Sequence, residues 1–201
     1  MALLTLIRHG ETAANSDGVW AGSTDTPLSE RGHAQAKRVA EYLLAQRCPA
    51  VAIYASDLCR ARDTALPIAE ALGLELQIER DLREYHLGSW EGRPYRELHE
   101  VERLWHHMRE DPDFAPHGGE TPLGVAKRLG AALERIASAH RGEQAIVVTH
   151  GGAMSMALGA LLDGDYSSWR RVVDNCALSD LRLRPTPELL RFNETSHLEG
   201  L

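Results

Sequence analysis

The sequence predicts an α/β fold with three layers (α/β/α), in which a mostly parallel central sheet carries helices on both faces. Three observations support this prediction. Short apolar runs alternate with longer segments whose apolar residues recur at helical spacing. The connections between these runs are long enough to cross over a sheet, as parallel neighbouring strands require. The length of 201 residues suits one domain rather than two large ones.

The N-terminal third contains two predicted strands and two predicted helices. A loop rich in Gly, Ser, Thr, Asp and Pro (15–28) precedes the first helix, where Ser29 can cap the N-terminus. Gly73 can end the second helix. In chain order, the elements are a strand at 3–7, a helix at 29–46, a strand at 50–56 and a helix at 58–73.

The same alternation returns in the C-terminal part of the chain. It predicts a helix at 128–140, a strand at 144–149, a helix at 151–162 and strands at 176–183 and 188–193. The intervening residues 91–122 differ, because acidic helical turns with His and Trp are broken by Pro and Gly. We predict a cap-like helical insertion over the active site, within a single domain of residues 1–201.

Composition excludes several classes of function. The chain has 22 Lys and Arg against 29 Asp and Glu, a formal net charge of −7, which disfavours nucleic acid and anionic membranes as partners. Cys48, Cys59 and Cys176 lack CxxC spacing, which argues against a disulfide framework and a zinc knuckle. The run AMSMALGALL is about half of the roughly 20 residues that a membrane span needs, and no signal peptide is recognisable. We therefore expect a cytoplasmic protein.

Four stretches place charged or titratable residues at the end of a predicted strand or the start of a helix. The stretches are LIRHGET (6–12), ASDLCRARDTA (55–65), DLREYHLGSWEG (81–92) and VVTHGG (147–152). Ligands of open α/β sheets bind beyond the carboxyl ends of the strands. Arg8 and His9 end the first strand and His150 ends a later one, so we expect these residues to meet at one edge of the sheet.

Together and in this order, the four stretches resemble the histidine phosphatase superfamily in its phosphoglycerate mutase-like branch. The matching patterns are RHG after the first strand, SxLxRAxxTA, LxExxxGxWEG and a THGG-like strand end; TPLSERGHAQA and PHGGET also match. The resemblance implies metal-independent phosphoryl transfer through a phosphohistidine. The catalytic residues that it implies are Arg8, His9, Arg60, Glu84 and His150.

The chemistry of phosphoryl transfer fits these residue types. A nitrogen of His9 can attack phosphorus, and neighbouring arginines lower the pKa of an imidazole and keep its lone pair available. Arg8 and Arg60 can bind phosphate oxygens through bidentate hydrogen bonds. His150 would be a second donor, expected to be cationic when phosphate is bound. Glu84 would protonate the leaving oxygen and then activate water.

The resemblance also implies substrate-binding residues, and some neighbouring residues compete for the assigned roles. The substrate-binding set is Asn15, Gly22, Ser23 and the Gly151 amide at a helix N-terminus. Gly10 is expected to let the chain turn where a side chain would obstruct the ligand. Arg62 is expected to pair with an acidic neighbour at the surface, and Glu91 is an alternative to Glu84. Trp90, Trp105 and Phe114 are candidates for the substrate mouth or for packing.

No catalytic metal and no cofactor are predicted. Adjacent histidines on a helix diverge by about 100°, and no acidic partner has ligand spacing. The histidines considered are His86, His99, His106, His107 and His117.

The insertion favours a hydrolase over a mutase. Cofactor-dependent mutases of the branch have a lysine and an arginine pair there, whereas this chain has Tyr95 beside Arg96, and Met108 beside Arg109. The GxWEG and PHGGE elements are similar to those of alpha-ribazole and glucosyl-3-phosphoglycerate phosphatases. We predict a phosphomonoester hydrolase for a small metabolite, with homodimer formation left open. A cofactor-dependent phosphoglycerate mutase and an inactive phospho-ligand-binding relative are the alternatives.

Overall fold

The computed structural model describes residues 1–167 and 171–201. Within these residues, a six-stranded sheet has the strand order β3-β2-β4-β1-β5-β6. The strands are β1 (Leu3–Arg8), β2 (Ala50–Ala55), β3 (Leu76–Ile78), β4 (Gln144–Thr149), β5 (Leu178–Arg182) and β6 (Glu188–Glu194). The first four in chain order pair in parallel, and β5 and β6 add antiparallel at one edge. The predicted α/β class with a mostly parallel sheet is confirmed.

The helices of the described residues cover both faces of this sheet. They are α1 (Ala13–Ser16), α2 (Glu30–Ala45), α3 (Cys59–Leu72), α4 (Tyr95–Glu100), α5 (Leu104–Glu110), α6 (Pro122–Ala139) and α7 (Gly151–Asp163). Short 3-10 helices lie at Arg80–Leu82, Gly88–Trp90, Pro116–Gly118 and Ser196–Leu198. None of these helices has the length and apolarity needed to cross a membrane.

Strand residues alternate between two apolar clusters, one on each face. In β1, Leu4 and Leu6 pack with α6 and α7, whereas Ile7 packs with α2 and α3. In β4, Val147 belongs to the first cluster, and its two neighbours in sequence belong to the second. Burial on both faces explains why these strands appear as continuous apolar runs, and it gives the three predicted layers.

The insertion shares the core of the sheet. Leu98 of α4, with Leu104 and Met108 of α5, is fully buried in the cluster that contains Leu4. Because the insertion has no separate apolar core, we propose that residues 1–201 form one domain with a cap-like insertion at about 91–122.

The largest differences from the prediction are one helix start and two short elements that were not predicted. Helix α6 begins at Pro122 instead of 128, because Thr121 caps it and proline is tolerated in the first turn. Helix α1 was not predicted; it is a single turn held by reciprocal bonds between Thr12 and Asn15. Strand β3 was also missed, because three residues at the sheet edge leave little pattern to detect.

Candidate active site

Two neighbouring parallel strands bring His9 and His150 together at their carboxyl ends. Arg8 pairs with Thr149 in the β1–β4 register, so that the next residue of each strand is a histidine. The two imidazole ring centroids lie 5.1 Å apart. The sheet therefore forms the floor of a pocket that carries two histidines side by side.

Burial and hydrogen bonding define the state of His9. Its side chain is 4% exposed, and Nδ1 lies 2.7 Å from the Gly10 carbonyl oxygen. A carbonyl can only accept, so Nδ1 carries the proton, and Nε2 of the neutral ring keeps its lone pair. Burial, followed by the positive charges of Arg60 and Arg8, holds the pKa of His9 well below its usual value. The neutral, nucleophilic ring is therefore the favoured form.

Two guanidinium groups flank His9, that of the buried Arg60 and that of the partly buried Arg8. Arg60 is 2% exposed, and it donates from Nη1 to the Thr24 carbonyl (2.9 Å) and from Nη2 to the Gly22 carbonyl (2.6 Å). Arg8 donates from Nη1 to the Val173 carbonyl (2.6 Å). Burial lowers the pKa of both arginines, and the nearby Glu84 opposes this effect. Guanidinium groups remain charged in proteins, so the pocket floor carries two fixed cations.

His150 and Arg8 have buried polar atoms that lack a protein partner. The two ring nitrogens of His150 and the Nε of Arg8 have no hydrogen-bond partner among the described residues. Burial, followed by the charges of Arg60, His9 and Arg8, lowers the pKa of His150 well below its usual value. The neutral ring of His150 is therefore favoured, and the negative charge of a bound ligand would favour its protonation. Unpaired buried donors are costly, and a tetrahedral oxyanion would satisfy them.

Glu84 forms a wall of the pocket and contacts the start of α7. Its carboxylate accepts hydrogen bonds from the backbone N–H groups of Gly152 (2.9 Å) and Ala153 (2.6 Å), and from the N–H of Tyr85 (2.9 Å). A Cβ at Gly152 would lie 2.8 Å from Oε1 of Glu84, so glycine permits this approach. The side chain is 7% exposed and lines the pocket with His9.

Asn15, Gly22 and Gly151 also line this pocket, whose cavity encloses about 150 Å³. The Oδ1 of Asn15 already accepts from the Thr12 N–H (3.1 Å) and from Nδ2 of Asn175 (3.2 Å). The Nδ2 amino group of Asn15 is therefore the part of this side chain that can donate a hydrogen bond into the pocket. The cavity is smaller than the roughly 300–1,000 Å³ of sites for drug-sized ligands, which fits a small polar group.

Ser23 does not join the other predicted substrate-binding residues. Its backbone N–H donates to Oε1 of Glu91 at 2.7 Å, and its hydroxyl lies 3.5 Å from the Glu84 carbonyl oxygen. Ser23 lines a separate depression beside Arg83 and Arg128 rather than the pocket of His9. A carboxylate 68 residues away in the chain takes the N–H of Ser23, and the assignment of Ser23 to the substrate stays a prediction.

Aromatic residues that the sequence did not reveal form the pocket mouth. Trp20 and Tyr95 line it, with stacked rings whose centroids are 5.6 Å apart. Trp105 contacts both rings, whereas Trp90 packs against Phe114 outside the lining. The backbone pairing of Tyr95 with Gly18, which places α4 beside the 15–28 loop, leaves no signal in the sequence.

A family model described as the histidine phosphatase superfamily (branch 1) matches residues 4–195. The chain belongs to this superfamily.

The relatives of this histidine phosphatase include named phosphatases. A metal-independent phosphoserine phosphatase of Arabidopsis thaliana is 42% identical over 156 residues, which are 75% of this chain and 65% of that protein. A glucosyl-3-phosphoglycerate phosphatase of Mycobacterium tuberculosis is 36% identical over 178 residues, which are 83% of this chain and 78% of that protein.

A solved relative has the same fold. It is a phosphoserine phosphatase variant from Entamoeba histolytica in complex with phosphoserine, with a TM-score of 0.87 and 28% identity. The comparison covers 98% of this chain and all of that one (100%).

Three neighbouring residues of the histidine phosphatase motifs have roles outside the pocket lining. Arg62 pairs with Asp63 at the surface (3.3 Å), as expected. Glu91 is turned toward the 22–24 segment, which removes it as an alternative to Glu84. Gly10 has a different reason from the one predicted: a Cβ there would lie 2.6 Å from the Gly32 carbonyl oxygen, so glycine allows close packing against α2 rather than ligand access.

No group of three or more His, Cys, Asp or Glu side chains among the described residues is arranged to hold a metal ion.

Proposed function

We propose that this histidine phosphatase hydrolyses phosphomonoesters of small metabolites without a metal, through a phosphohistidine formed on His9. Relatives named for phosphoserine and glucosyl-3-phosphoglycerate support a small phosphorylated substrate. The cysteines described are all free thiols, which supports action in the reducing cytoplasm.

One observation carries this proposal. The pocket floor holds a neutral imidazole with an available nitrogen and the guanidinium groups of Arg8 and Arg60. Both ring nitrogens of His150 and the Nε of Arg8 are buried there without a partner in the described part of the chain. A phosphoryl group is the ligand that meets all of these demands, because it offers an electrophilic phosphorus and three acceptor oxygens. A site that only bound phosphate would not need the carboxylate of Glu84 at its wall.

The proposed reaction has two displacements at phosphorus. Nε2 of His9 attacks, the ester P–O bond breaks, and Glu84 donates its proton to the departing oxygen. The Glu84 carboxylate then takes a proton from water, whose oxygen attacks phosphorus as the P–N bond breaks, and inorganic phosphate leaves. Arg8, Arg60 and His150 stabilise the equatorial oxygens in both steps.

The pocket mouth supports transfer to water rather than to a second phosphate-bearing acid. Tyr95 lies where mutases of the branch have a lysine, and its ring stacks on Trp20. Val19 and Val172 are further apolar lining residues. An apolar mouth gives poor support to the second anionic group of a bisphosphorylated mutase cofactor.

The test is an assay in EDTA with p-nitrophenyl phosphate, phosphoserine, 3-phosphoglycerate and glucosyl-3-phosphoglycerate. Phosphate release supports the hydrolase. A parallel incubation of 3-phosphoglycerate with 2,3-bisphosphoglycerate detects isomer exchange, which would instead indicate a mutase. Phosphate binding without either reaction would indicate an inactive relative.

A further inference from the structure

Glu91 lies outside the pocket, yet its carboxylate is almost fully hydrogen-bonded. Oε1 accepts from the Ser23 N–H (2.7 Å) and lies 2.6 Å from Nδ1 of His86, with the Leu87 N–H at 3.3 Å. Oε2 accepts from the Thr24 hydroxyl (2.5 Å). Burial alone would raise the pKa of Glu91, but the hydrogen bonds from Thr24, His86 and Ser23 outweigh it and lower this pKa. The charged carboxylate therefore holds the 22–24 segment.

The opposite side of the same segment holds Arg60. The carbonyl groups of Gly22 and Thr24 accept from Nη2 and Nη1 of Arg60. Gly22 has a positive φ of 56°, and a Cβ there would collide with Oε1 of Glu91. The three residues of this segment are therefore fixed between a carboxylate on one side and a guanidinium group on the other.

The backbone adjacent to this segment is paired with the chain around Glu91. The Gly92 N–H donates to the Trp20 carbonyl (2.9 Å), and the Trp20 N–H donates to the Arg93 carbonyl (3.1 Å). These bonds hold the two stretches side by side. The Thr24 N–H also donates to the Ala21 carbonyl (3.0 Å), and Glu91 adds the contacts of its carboxylate with residues 23 and 24.

We propose that Glu91 is a positioning residue that aims the Arg60 guanidinium at the phosphoryl group by clamping residues 22–24. This inference rests on the proposed function, because Arg60 is taken to bind the phosphoryl oxygens. Glu91 itself touches no reacting atom in this account; it acts through two backbone carbonyls. A guanidinium that is held in place loses less conformational freedom when it binds a ligand, and bidentate recognition depends on that orientation.

The primary test is Glu91→Gln, which preserves size but replaces one acceptor oxygen by an N–H₂ group facing existing donors. Arg60 binds phosphoryl oxygens before and during reaction, so we expect KM for p-nitrophenyl phosphate and Ki for inorganic phosphate to rise together by about tenfold. We expect kcat to stay within about threefold. Glu97→Gln is the matched control, because Glu97 pairs with Arg93 at the surface.

A double-mutant cycle separates positioning from a purely structural role. In an Arg60→Ala background, Glu91→Gln should change kcat/KM by less than about twofold, because the group that it positions is gone. Thr24→Val, which removes one donor to Glu91, should produce a smaller rise in both KM and Ki. This second variant keeps the test available if Glu91→Gln proves unstable in thermal unfolding.

The proposal would be overturned if Glu91→Gln still lowered kcat/KM tenfold in the Arg60→Ala background. It would also be overturned if Glu91→Gln lowered only kcat and left KM and Ki unchanged. If the wild-type protein hydrolyses no phosphomonoester, the proposed function fails. Calorimetry with inorganic phosphate then decides the Glu91 inference: weaker binding in Glu91→Gln supports it, and equal binding overturns it.

Discussion

At the scale of single residues, burial decides what each titratable group in the pocket can do. His9 and His150 are buried beside Arg8 and Arg60, and the pKa of each imidazole is well below its ordinary value. The environment that keeps His9 neutral, as its proposed role as the nucleophile requires, also makes its protonation costly. Function and acid sensitivity therefore have a common cause.

The stability of the protein should accordingly fall in mild acid. Below the unfolded histidine pKa of about 6.5, the unfolded chain binds protons that the folded protein excludes, so the free energy of unfolding decreases as pH falls. Each buried histidine contributes up to about 1.4 kcal/mol per pH unit. Between pH 8 and pH 5, the thermal unfolding midpoint should fall more steeply for the wild type than for His150→Asn. Parallel curves would show that His150 is not buried as a neutral ring.

Glu84 should be separable from phosphate binding. Glu84→Gln retains the size of the side chain and an acceptor for the α7 N–H groups, but a carboxamide cannot transfer a proton. We expect kcat to fall by about 10²–10⁴-fold for substrates with a poor leaving group, with Ki for inorganic phosphate nearly unchanged. Steady-state kinetics with phosphoserine measures both values. Loss of phosphate affinity in place of kcat would assign Glu84 a structural role.

At the scale of elements, two glycines bring the turn after β1 against the start of α2. A Cβ at Gly10 would meet the backbone of Gly32, and a Cβ at Gly32 would collide with the Glu11 carbonyl. The Ser29 N–H also donates to the Glu11 carbonyl (2.8 Å). The position of His9 therefore depends on close contact between backbones.

Gly32→Ala should destabilise the protein by about 1–3 kcal/mol, since the added methyl has no space. Gly130→Ala in α6 is the matched control, because its Cβ would meet nothing within 4 Å. Alanine is the better helix former, so this control should be neutral or stabilising by up to about 1 kcal/mol. Urea unfolding measures both variants. Equal effects would contradict the close contact at Gly32.

Helix α4 contributes Tyr95 to the pocket lining, and we expect its ring, which is 46% exposed, to contact the leaving group. Tyr95→Ala should lower kcat/KM for p-nitrophenyl phosphate by about 3- to 10-fold, the value of one aromatic contact. The Ki for inorganic phosphate should not change, because phosphate lacks a leaving group to contact the ring. Tyr95→Phe retains the ring and should behave as wild type. A change in Ki would place Tyr95 at the phosphate site instead.

At the scale of the whole molecule, the insertion and the sheet share one apolar cluster. The protein should therefore unfold in one cooperative transition. Far-UV circular dichroism, which follows the helices and strands, should coincide in urea with tryptophan fluorescence, to which Trp105 of the insertion contributes. Separate midpoints would show that the insertion is an independent unit.

The pattern of apolar residues along the chain predicted much of this architecture. Strands buried on both faces are continuous apolar runs, and amphipathic helices have apolar residues at helical spacing. The motif resemblance also indicated Arg8, His9, Arg60 and Glu84, which line one pocket, and His150, whose ring lies beside that of His9. The aromatic mouth and the contact between the Ser23 N–H and Glu91 were not predicted. Both depend on contacts between the 15–28 loop and residues 91–95, which are long-range in sequence and have no local pattern.

Trapping the intermediate tests the covalent phosphorylation of His9. The Glu84→Gln variant should be mixed with p-nitrophenyl phosphate that carries a labelled phosphoryl group. The p-nitrophenolate leaves without a proton, whereas hydrolysis of phosphohistidine needs the base that this variant lacks. We expect acid-labile label to accumulate on His9 and to be absent from His9→Ala/Glu84→Gln. Label elsewhere in the chain, label that persists in the double variant, or no label during turnover would contradict it.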